Sequence, residues 1–237
     1  CGTGFLCAGF KRYTNISAFH EQSPVLIGSL LREANKSGIE SEILKKKARD
    51  ICLKYPFYID TAHQFMRGFY KYALAEMTKI KVIKLIINPL EVASSRINRR
   101  VIPGESGWLG SFEDEENLIK VPREDWENFS DFKKILLDWI EHEERFNLYK
   151  DKFSKVVYID FKELTKKPRL TFERIFKELG INKYKIGNPE LLNKNSNKAK
   201  SSYSRENEKE FEDLVHYLRS LKYSLEWLDT KYYKKVL

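Results

Sequence analysis

The stretch Cys1-Gly2-Thr3-Gly4-Phe5-Leu6 has the pattern of a loop that turns directly into a helix. Gly2 and Gly4 carry no Cβ atom, so a ligand can approach the backbone closely, and Thr3 adds a hydroxyl donor. The free N–H groups at the start of a helix carry a partial positive charge. The stretch therefore predicts a phosphate-binding loop followed by a helix over residues 4–13, although a simple turn fits the two glycines equally well. Such a loop normally follows a buried strand, so we expect the first strand to be missing from the chain.

The composition favours one globular domain over residues 1–237 with an anionic partner. The chain is 42% hydrophobic and 14% aromatic, which suffices for a sizeable core, and its net charge is +9. No stretch of the sequence has the apolar length of a membrane span. Cys1, Cys7 and Cys52 have neither the number of a disulfide framework nor the spacing of metal ligands. We therefore predict no metal and a reducing, cytoplasmic location.

Strands that alternate with helices predict an α/β fold with a parallel sheet and helices on both faces. Residues 81–87 form the strongest buried-strand pattern, and residues 57–60 and 155–161 form two further strands. We expect ligands beyond the carboxyl ends of these strands. Further helices are predicted over residues 25–34, 41–53, 64–78, 90–99, 131–149, 169–179 and 205–228, with a frayed tail over 231–237.

Two irregular segments interrupt this pattern. Residues 101–130 are rich in glycine, proline and acidic residues and are too long for a plain connection, which predicts a lid or insertion. Within it, Trp108 and Trp126 either cover a ligand pocket as part of the lid or attach the segment to the core. Residues 187–204 are rich in lysine and asparagine and predict a polar loop.

Several charged residues of the predicted helices have the pattern of solvated surface. They are the basic run Lys45–Lys47, His142 among its glutamates, and His216. We expect each of them to face water.

Two of the strand ends offer groups suited to phosphate. One is the glycine-rich loop, and the other is Asn88–Arg96, which presents hydroxyls and a guanidinium on the first turns of a helix. Two separate phosphate sites predict a nucleotide that carries phosphates at both ends of its ribose.

Three segments, in this order, resemble the sulfotransferases that use PAPS (3′-phosphoadenosine 5′-phosphosulfate). Residues 2–6 are similar to that family's loop around the 5′-phosphosulfate, and residues 88–96 to its 3′-phosphate segment, usually Arg-Asp-Pro…Ser-Arg. Residues 158–168 with 176–180 are similar to its later strand–turn–helix, typically Tyr-Glu-Asp-Leu…Pro…Phe-Leu-Gly. Ile87 stands where the family has arginine, and Cys1 stands where it often has a basic residue.

The resemblance implies a three-layer, sulfotransferase-like sandwich with a central parallel sheet. It implies a metal-free transferase that moves a sulfuryl group from PAPS to a hydroxyl-bearing acceptor, such as a sugar, a lipid headgroup, a small metabolite or a peptide tyrosine. A late basic loop is expected to compensate for the missing arginine. The implied cofactor-binding residues are Gly2, Thr3, Gly4 and Phe5 for the 5′ end, Ser95 and Arg96 for the 3′ phosphate, and Lys198 (or Lys194 or Lys200) in the late loop.

Transfer to a hydroxyl needs a base that takes its proton. The interval from Gly2 to Glu21 resembles that of the tyrosylprotein sulfotransferases, where a glutamate is the base, so Glu21 is the first candidate. His20 is the second, either as the base or as a group that orients Glu21. His63, at the end of the strand over 57–60, is the third.

Three alternatives compete with this interpretation. A phosphate-loop kinase would need a lysine where Phe5 follows Gly4, with Asp60 and Asp160 as candidate magnesium ligands. A basic, non-catalytic binding module is the second, but aromatic and basic residues do not interleave as in RNA-binding proteins, so we do not expect a nucleic-acid partner. The third is a sulfotransferase fold that has lost its activity.

Overall fold

The computed structural model describes residues 3–13, 16–25, 38–55, 57–62, 65–104, 117–182 and 203–234. The strands are β1 (Ser17–Phe19), β2 (Tyr58–Asp60), β3 (Lys81–Ile86) and β4 (Lys155–Asp160). The helices are α1 (Thr3–Tyr13), α2 (Ile39–Lys54), α3 (Tyr70–Glu76), α4 (Pro89–Ile97), α5 (Arg123–Asn128), α6 (Asp131–Tyr149), α7 (Phe161–Lys166), α8 (Pro168–Leu179), α9 (Arg205–Ser220) and α10 (Lys231–Lys234). The predicted α/β class is confirmed.

The strands pair in parallel, as the alternation of strands and helices predicted. In the described part of the chain they form two sheets of two strands each, β1 with β2 and β3 with β4. Ala18 lies opposite Ile59 in the first pair, and Ile83 lies opposite Val157 in the second. The carboxyl ends of β1 and β2 therefore lie side by side.

Local capping fixes where several helices begin and end. The side chain of Asn88 accepts a hydrogen bond from the backbone N–H of Leu90 at 2.8 Å, and Pro89 occupies the first turn of α4. Ser130 caps α6 in the same way. Gly180 ends α8 in the left-handed conformation, with a φ of 72°.

One part of the core lies between α1, α8 and the strands. Phe10, Phe172 and Phe176 are buried there together with Ile159 of β4. A Cβ atom at Gly9 would lie 1.9 Å from Cζ of Phe172, so only glycine lets α1 approach α8 this closely.

The other large cluster joins α4, α6 and α9 with the end of the described chain. Trp126 is buried in it, which attaches the segment around α5 to the core. Trp227 and Tyr233 are buried in the same cluster, so the prediction of a frayed tail over 231–237 is wrong for α10. The aromatic rings provide the reason, because burying them offsets the cost of ordering the chain.

Two helix predictions differ from the structure. The helix predicted over 64–78 is broken at Gly68, whose non-helical φ of 164° kinks the chain within the turn Phe65–Phe69 that precedes α3. The helix predicted over 205–228 ends at Ser220, because Lys222 and Leu225 adopt positive φ values and turn the chain back onto the core. The helix predicted over 25–34 lies almost entirely outside the described residues, as does most of the polar loop over 187–204.

Candidate functional site

His20 follows β1 and contacts the residue that follows β2. Its Nδ1 atom lies 2.7 Å from the carbonyl oxygen of Thr61 and 3.0 Å from the hydroxyl oxygen of the same residue. A carbonyl oxygen can only accept, so Nδ1 carries the proton of this hydrogen bond. In the neutral imidazole the lone pair is then on Nε2, which is the form that can accept a proton from a substrate.

Glu21 is held by its backbone in an uncommon conformation. Its φ is 56°, in the left-handed region that residues other than glycine rarely adopt. The N–H of Glu21 donates to Oδ1 of Asp60 at 3.0 Å, and the hydroxyl of Tyr58 donates to Oδ2 at 3.2 Å. Burial raises the pKa of Asp60, while Lys47 and these hydrogen bonds oppose the increase. The carboxylate of Asp60 thus fixes the backbone direction at Glu21.

Lys47 reaches this site from α2 and holds the segment after Glu21. Its ammonium donates to the carbonyl oxygen of Gln22 and, at 3.1 Å, to that of Pro24. Lys47 is only 5% exposed, so the prediction that the run Lys45–Lys47 is solvated is wrong at this residue. Burial lowers the pKa of Lys47, and the nearby carboxylates of Asp60 and Glu21 oppose that decrease.

The N-terminus of α1 offers an open backbone surface. Gly4 is exposed, and a Cβ atom built on it meets no atom within 4 Å, so packing does not require glycine there and the space is open to a ligand. Phe5 is half-buried, and its ring centroid lies 6.5 Å from that of Phe172. Because the ring packs on the protein, the group that Phe5 can offer to an anion is its backbone N–H. Helix α1 contacts β2, and Thr3 and Thr61 line the same cavity. This contact brings α1 to the carboxyl end of β2.

A cavity of about 690 Å³ extends from the start of α1 and the end of β2 to a cluster of charged side chains. Thr3 and Thr61 lie in its wall, and its charged and titratable lining residues outside the strand ends include Arg67, Lys84, Arg96, His142 and Glu143.

Two arginines of the cavity wall share one carboxylate. Arg67 donates to both carboxylate oxygens of Asp138 at 2.7 Å, and Arg96 donates to Oδ2 at 2.6 Å. Burial of Asp138 acts to raise its pKa, but the two guanidinium groups outweigh it and hold this pKa well below the usual range. The positive charge of Arg96, a predicted cofactor ligand, is therefore already paired within the protein.

A second cluster of buried polar side chains, formed by Lys84, Glu143 and Tyr233, connects β3, α6 and α10. Lys84 donates to Oε1 of Glu143 at 2.5 Å, and the hydroxyl of Tyr233 donates to the other carboxylate oxygen. His142 is adjacent, and burial together with Lys84 lowers its pKa well below the usual value. The prediction that His142 is solvated is wrong, because α6 presents it to the cavity wall; His216 is exposed, as predicted.

Ser95 lies on α4, outside the cavity wall. Its hydroxyl accepts a hydrogen bond from Nη2 of Arg99 at 2.9 Å, and the same guanidinium donates to its carbonyl oxygen at 3.0 Å. Ser95 and Arg99 thus form a polar surface on this turn of α4. The role of Ser95 at a 3′ phosphate stays a prediction. Gly2, His63, Lys198 and Trp108 lie outside the described residues.

The residues that position the His20-Glu21 pair were not predicted from the sequence. Lys47 lies within a turn of the buried residues Leu44 and Ile51, and this apolar face was the available signal. Thr61 and the anchoring role of Asp60 depend on the pairing of β1 with β2, which periodicity alone does not give.

The described residues do not contain a grouping of three or more His, Cys, Asp or Glu side chains arranged to hold a metal ion. Within the same ranges, no helix combines the length and the apolar character that crossing a bilayer requires.

The family model described as sulfotransferase domain matches residues 14–221. Searches of curated proteins and of solved structures returned no significant match.

Proposed function

The chain belongs to the sulfotransferase domain family, and we propose that it transfers a sulfuryl group from PAPS to an acceptor hydroxyl. The observation that supports this proposal is that His20, bonded through Nδ1 to Thr61, and Glu21, whose N–H donates to Asp60, lie at the carboxyl ends of β1 and β2. Helix α1, whose start is the predicted phosphate site, also contacts both strands.

The N-terminus of α1 is the proposed site for the 5′-phosphosulfate. The N–H groups of Thr3, Gly4 and Phe5 have no partner in the preceding turn of a helix, and they suit the negative charge of a phosphate. When bound, PAPS supplies the sulfuryl group on a phosphate leaving group. We assign Ser95 to the 3′ phosphate, together with the predicted basic loop around Lys198; Arg96 would act there only if it exchanged part of its contact with Asp138.

The His20-Glu21 pair is the proposed proton acceptor. Glu21 takes the proton of the acceptor hydroxyl, and its backbone direction is fixed by Asp60 on one side and by Lys47 on the other. His20 is the alternative base, oriented by Thr61 so that Nε2 can accept. A group that acts this way typically contributes 10²–10⁴-fold to the rate. The acceptor is a hydroxyl compound that reaches this pair.

Donor binding is tested by comparing ligands in a thermal-shift assay. We expect adenosine 3′,5′-bisphosphate to raise Tm without added metal, and ATP with magnesium to have little effect. Gly4→Asp, which puts a negative charge at the proposed phosphate site, should abolish this rise, whereas Lys46→Ala on the exposed face of α2 should leave it intact. Stabilisation by ATP and magnesium alone would refute the proposal in favour of a kinase.

Chemical rescue distinguishes the two bases. In an acceptor screen with PAPS, we expect Glu21→Ala to lose at least roughly 100-fold in rate while it still binds adenosine 3′,5′-bisphosphate, and formate to restore part of the activity. Rescue of His20→Ala by imidazole, with an unimpaired Glu21→Ala, would assign the base to His20. Glu42→Ala and His216→Ala are the matched controls, since both side chains are exposed. Full activity of both site variants would refute the assignment.

A further inference from the structure

The end of the fold at which the parallel strands begin carries a set of exposed lysines, which we call the lysine surface. In a fold that alternates parallel strands with helices, the last turns of the helices and the first residues of the strands share one side of the molecule. The exposed lysines on this side are Lys54 at the end of α2, Lys79 between α3 and β3, Lys81 and Lys155 at the starts of β3 and β4, Lys152 just before β4, and Lys177 in the last turn of α8.

Contacts between these elements hold the lysines on one side. In the pairing of β3 with β4, Lys81 lies directly opposite Lys155. Nζ of Lys81 donates to the carbonyl oxygen of Leu179 at 2.6 Å, which brings the end of α8 to the start of β3. Sγ of Cys52 lies 3.7 Å from the carbonyl oxygen of Glu76, which joins the ends of α2 and α3. The lysine surface therefore extends from α2 to α8.

The carboxylates of the protein leave the charge of the lysine surface uncompensated. Two carboxylates at this end are engaged by arginines, because Glu76 accepts from Arg49 at 3.1 Å and Glu178 pairs with Arg174 at 3.6 Å. Within the ranges that the structure describes, no residue of the lysine surface forms an ion pair. The positive charge of this side is therefore available to an anionic partner.

The stability of the fold alone does not explain the lysine surface. Basic residues in the last turn of a helix interact favourably with the helix dipole, which accounts for Lys54 and Lys177. Lys81 and Lys155 begin strands, and like charges directly opposite each other in a sheet destabilise the pairing. An anionic partner would relieve that repulsion.

Two large apolar side chains are exposed beside these lysines. Leu53, in the last turn of α2, is 87% exposed, and Phe57, just before β2, is 70% exposed. Their neighbours Ile51 and Tyr58 pack against the cluster between α2 and α3, so the core holds the backbone on either side of the exposed pair. Contact of Leu53 and Phe57 with water is unfavourable, and the helix dipole gives no reason for it.

Lysines beside exposed apolar side chains suit the surface of an anionic lipid bilayer. At such a surface, ammonium groups stay among the phosphates and carboxylates of the headgroups, while apolar side chains enter the boundary of the acyl chains. A nucleic-acid surface more typically uses arginine, which contacts phosphate through two parallel hydrogen bonds. Arg49, one turn before Leu53, is already paired with Glu76.

We propose that the lysine surface, with Leu53 and Phe57, docks reversibly on an anionic lipid bilayer. The strands then begin at the membrane and run away from it. The carboxyl ends of β1 and β2, where His20 and Glu21 lie, face the aqueous phase. The docking does not depend on the proposed enzymatic activity.

Flotation with lipid vesicles tests the proposal on the 237-residue chain. One set of vesicles is phosphatidylcholine alone, and the other contains about 30 mol% phosphatidylserine. At about 0.1 M salt, we expect the chain to bind the anionic vesicles at least tenfold more tightly than the neutral ones. Raising the salt to about 1 M should weaken this binding at least tenfold, because the Debye length falls to about 3 Å.

Substitutions separate the two kinds of contact. Reversing the charge at two lysines, with Lys79→Glu and Lys177→Glu in one chain, should weaken binding to the anionic vesicles at least about tenfold. Leu53→Ser and Phe57→Ser should each weaken it by about three- to tenfold. Because all four side chains are exposed, we expect every variant to keep the Tm of the parent chain.

Matched controls make the same changes at the other end of α8. Lys166→Glu with Lys167→Glu reverses two exposed charges there, and Leu170→Ser removes a leucine that is 61% exposed. At about 1.5 Å per residue, the start of α8 lies about 16 Å from its end, which is beyond the Debye length at the lower salt concentration. Both controls should bind the anionic vesicles within about twofold of the parent chain.

Three results would overturn the proposal. One is equal binding of the parent chain to neutral and anionic vesicles, or binding to neither. Another is an equal loss of affinity in the control variants and in the variants of the docking surface, because net charge alone would then explain the binding. The third is binding of a single-stranded RNA of about 20 nucleotides at lower protein concentrations than the anionic vesicles require, which would assign the lysine surface to nucleic acid.

Discussion

Substituting Gly9 by alanine tests how closely α1 packs against α8. The new Cβ would lie 1.9 Å from Cζ of Phe172, whereas carbon atoms normally make contact at about 3.5–4.0 Å. The ring would have to move by roughly 1.6 Å or more. It is 1% exposed and is enclosed by the rings of Phe10, Tyr13 and Phe176, whose centroids lie 5.7, 5.1 and 5.8 Å away. The ring has no open space to enter.

Two opposing terms set the size of the effect. In a helix interior, replacing glycine by alanine stabilises the folded state by about 1 kcal/mol. Overpacking a filled core destabilises the folded state by about 1–3 kcal/mol. Because the overlap at Gly9 is severe, we take the upper half of that range and expect the free energy of unfolding to fall by about 1–2 kcal/mol. For a chain of this size, that lowers Tm by roughly 2–8 °C.

Urea unfolding of Gly9→Ala and Gly4→Ala gives the comparison. A Cβ at Gly4 meets no atom within 4 Å, so Gly4→Ala should unfold at an equal or higher urea concentration. Combining Gly9→Ala with Phe172→Leu should cost less than the sum of the two single changes, because the smaller side chain makes room. Our interpretation of the packing is refuted if Gly9→Ala is as stable as Gly4→Ala with an unchanged dependence on urea.

Three other substitutions address the buried charges. Asp138→Asn leaves two guanidinium groups without their carboxylate, and we expect urea titrations to show a loss of about 3–5 kcal/mol in stability. Lys47→Met releases the segment after Glu21 and should slow sulfuryl transfer by roughly 10–100-fold, whereas Lys46→Met should not. Because burial lowers the pKa of His142 in the folded state, the unfolded state binds more protons below about pH 6.5. Stability should therefore decline as the pH falls below that value, by at most about 1.4 kcal/mol per pH unit, and His142→Gln should reduce this slope.

Each of these three expectations has a contradicting result. A stability of Asp138→Asn within about 1 kcal/mol of the parent chain would mean that water can solvate the two arginines. Equal transfer rates for Lys47→Met and Lys46→Met would mean that Lys47 does not position the site. A slope of stability against pH that His142→Gln leaves unchanged would assign the dependence to other groups.

The three strands predicted over residues 57–60, 81–87 and 155–161 all agree with the structure to within a residue. The runs at residues 81–87 and 155–161 were recognisable because valine and isoleucine dominate them, although Lys84 interrupts the first. The start of α4 and the end of α8 were also readable, since Pro89 and Gly180 fix the backbone locally. Local chemistry was sufficient for these elements.

The burial of individual polar residues could not be predicted from the local sequence. Lys47, His142 and Tyr233 each sit in a stretch of polar neighbours, and their partners lie far away in the sequence. Tyr233 and Glu143, for example, are 90 residues apart. Periodicity describes one element at a time, whereas the burial of these side chains is decided by which elements pack together.

The candidate site was predictable in part. The resemblance to a known family led to Glu21 and His20, and their spacing from the glycine-rich loop supported both. The role of Asp60 and Thr61 as anchors follows from the register that puts Ser17 beside Tyr58, which joins segments 41 residues apart. No local pattern encodes that register.

The hydrogen bond from Tyr233 to Glu143 has a consequence for synthesis on the ribosome. At about 5–20 residues per second, the ribosome needs roughly 5–18 s to proceed from Glu143 to Tyr233, which are 90 residues apart. Throughout that interval the nascent chain contains Lys84 and Glu143 but not the phenol that donates to Glu143. The buried hydrogen bonds of Glu143 therefore cannot be completed while the chain is still emerging. Slow codons between these two positions would lengthen the exposure of the open core to chaperones and proteases.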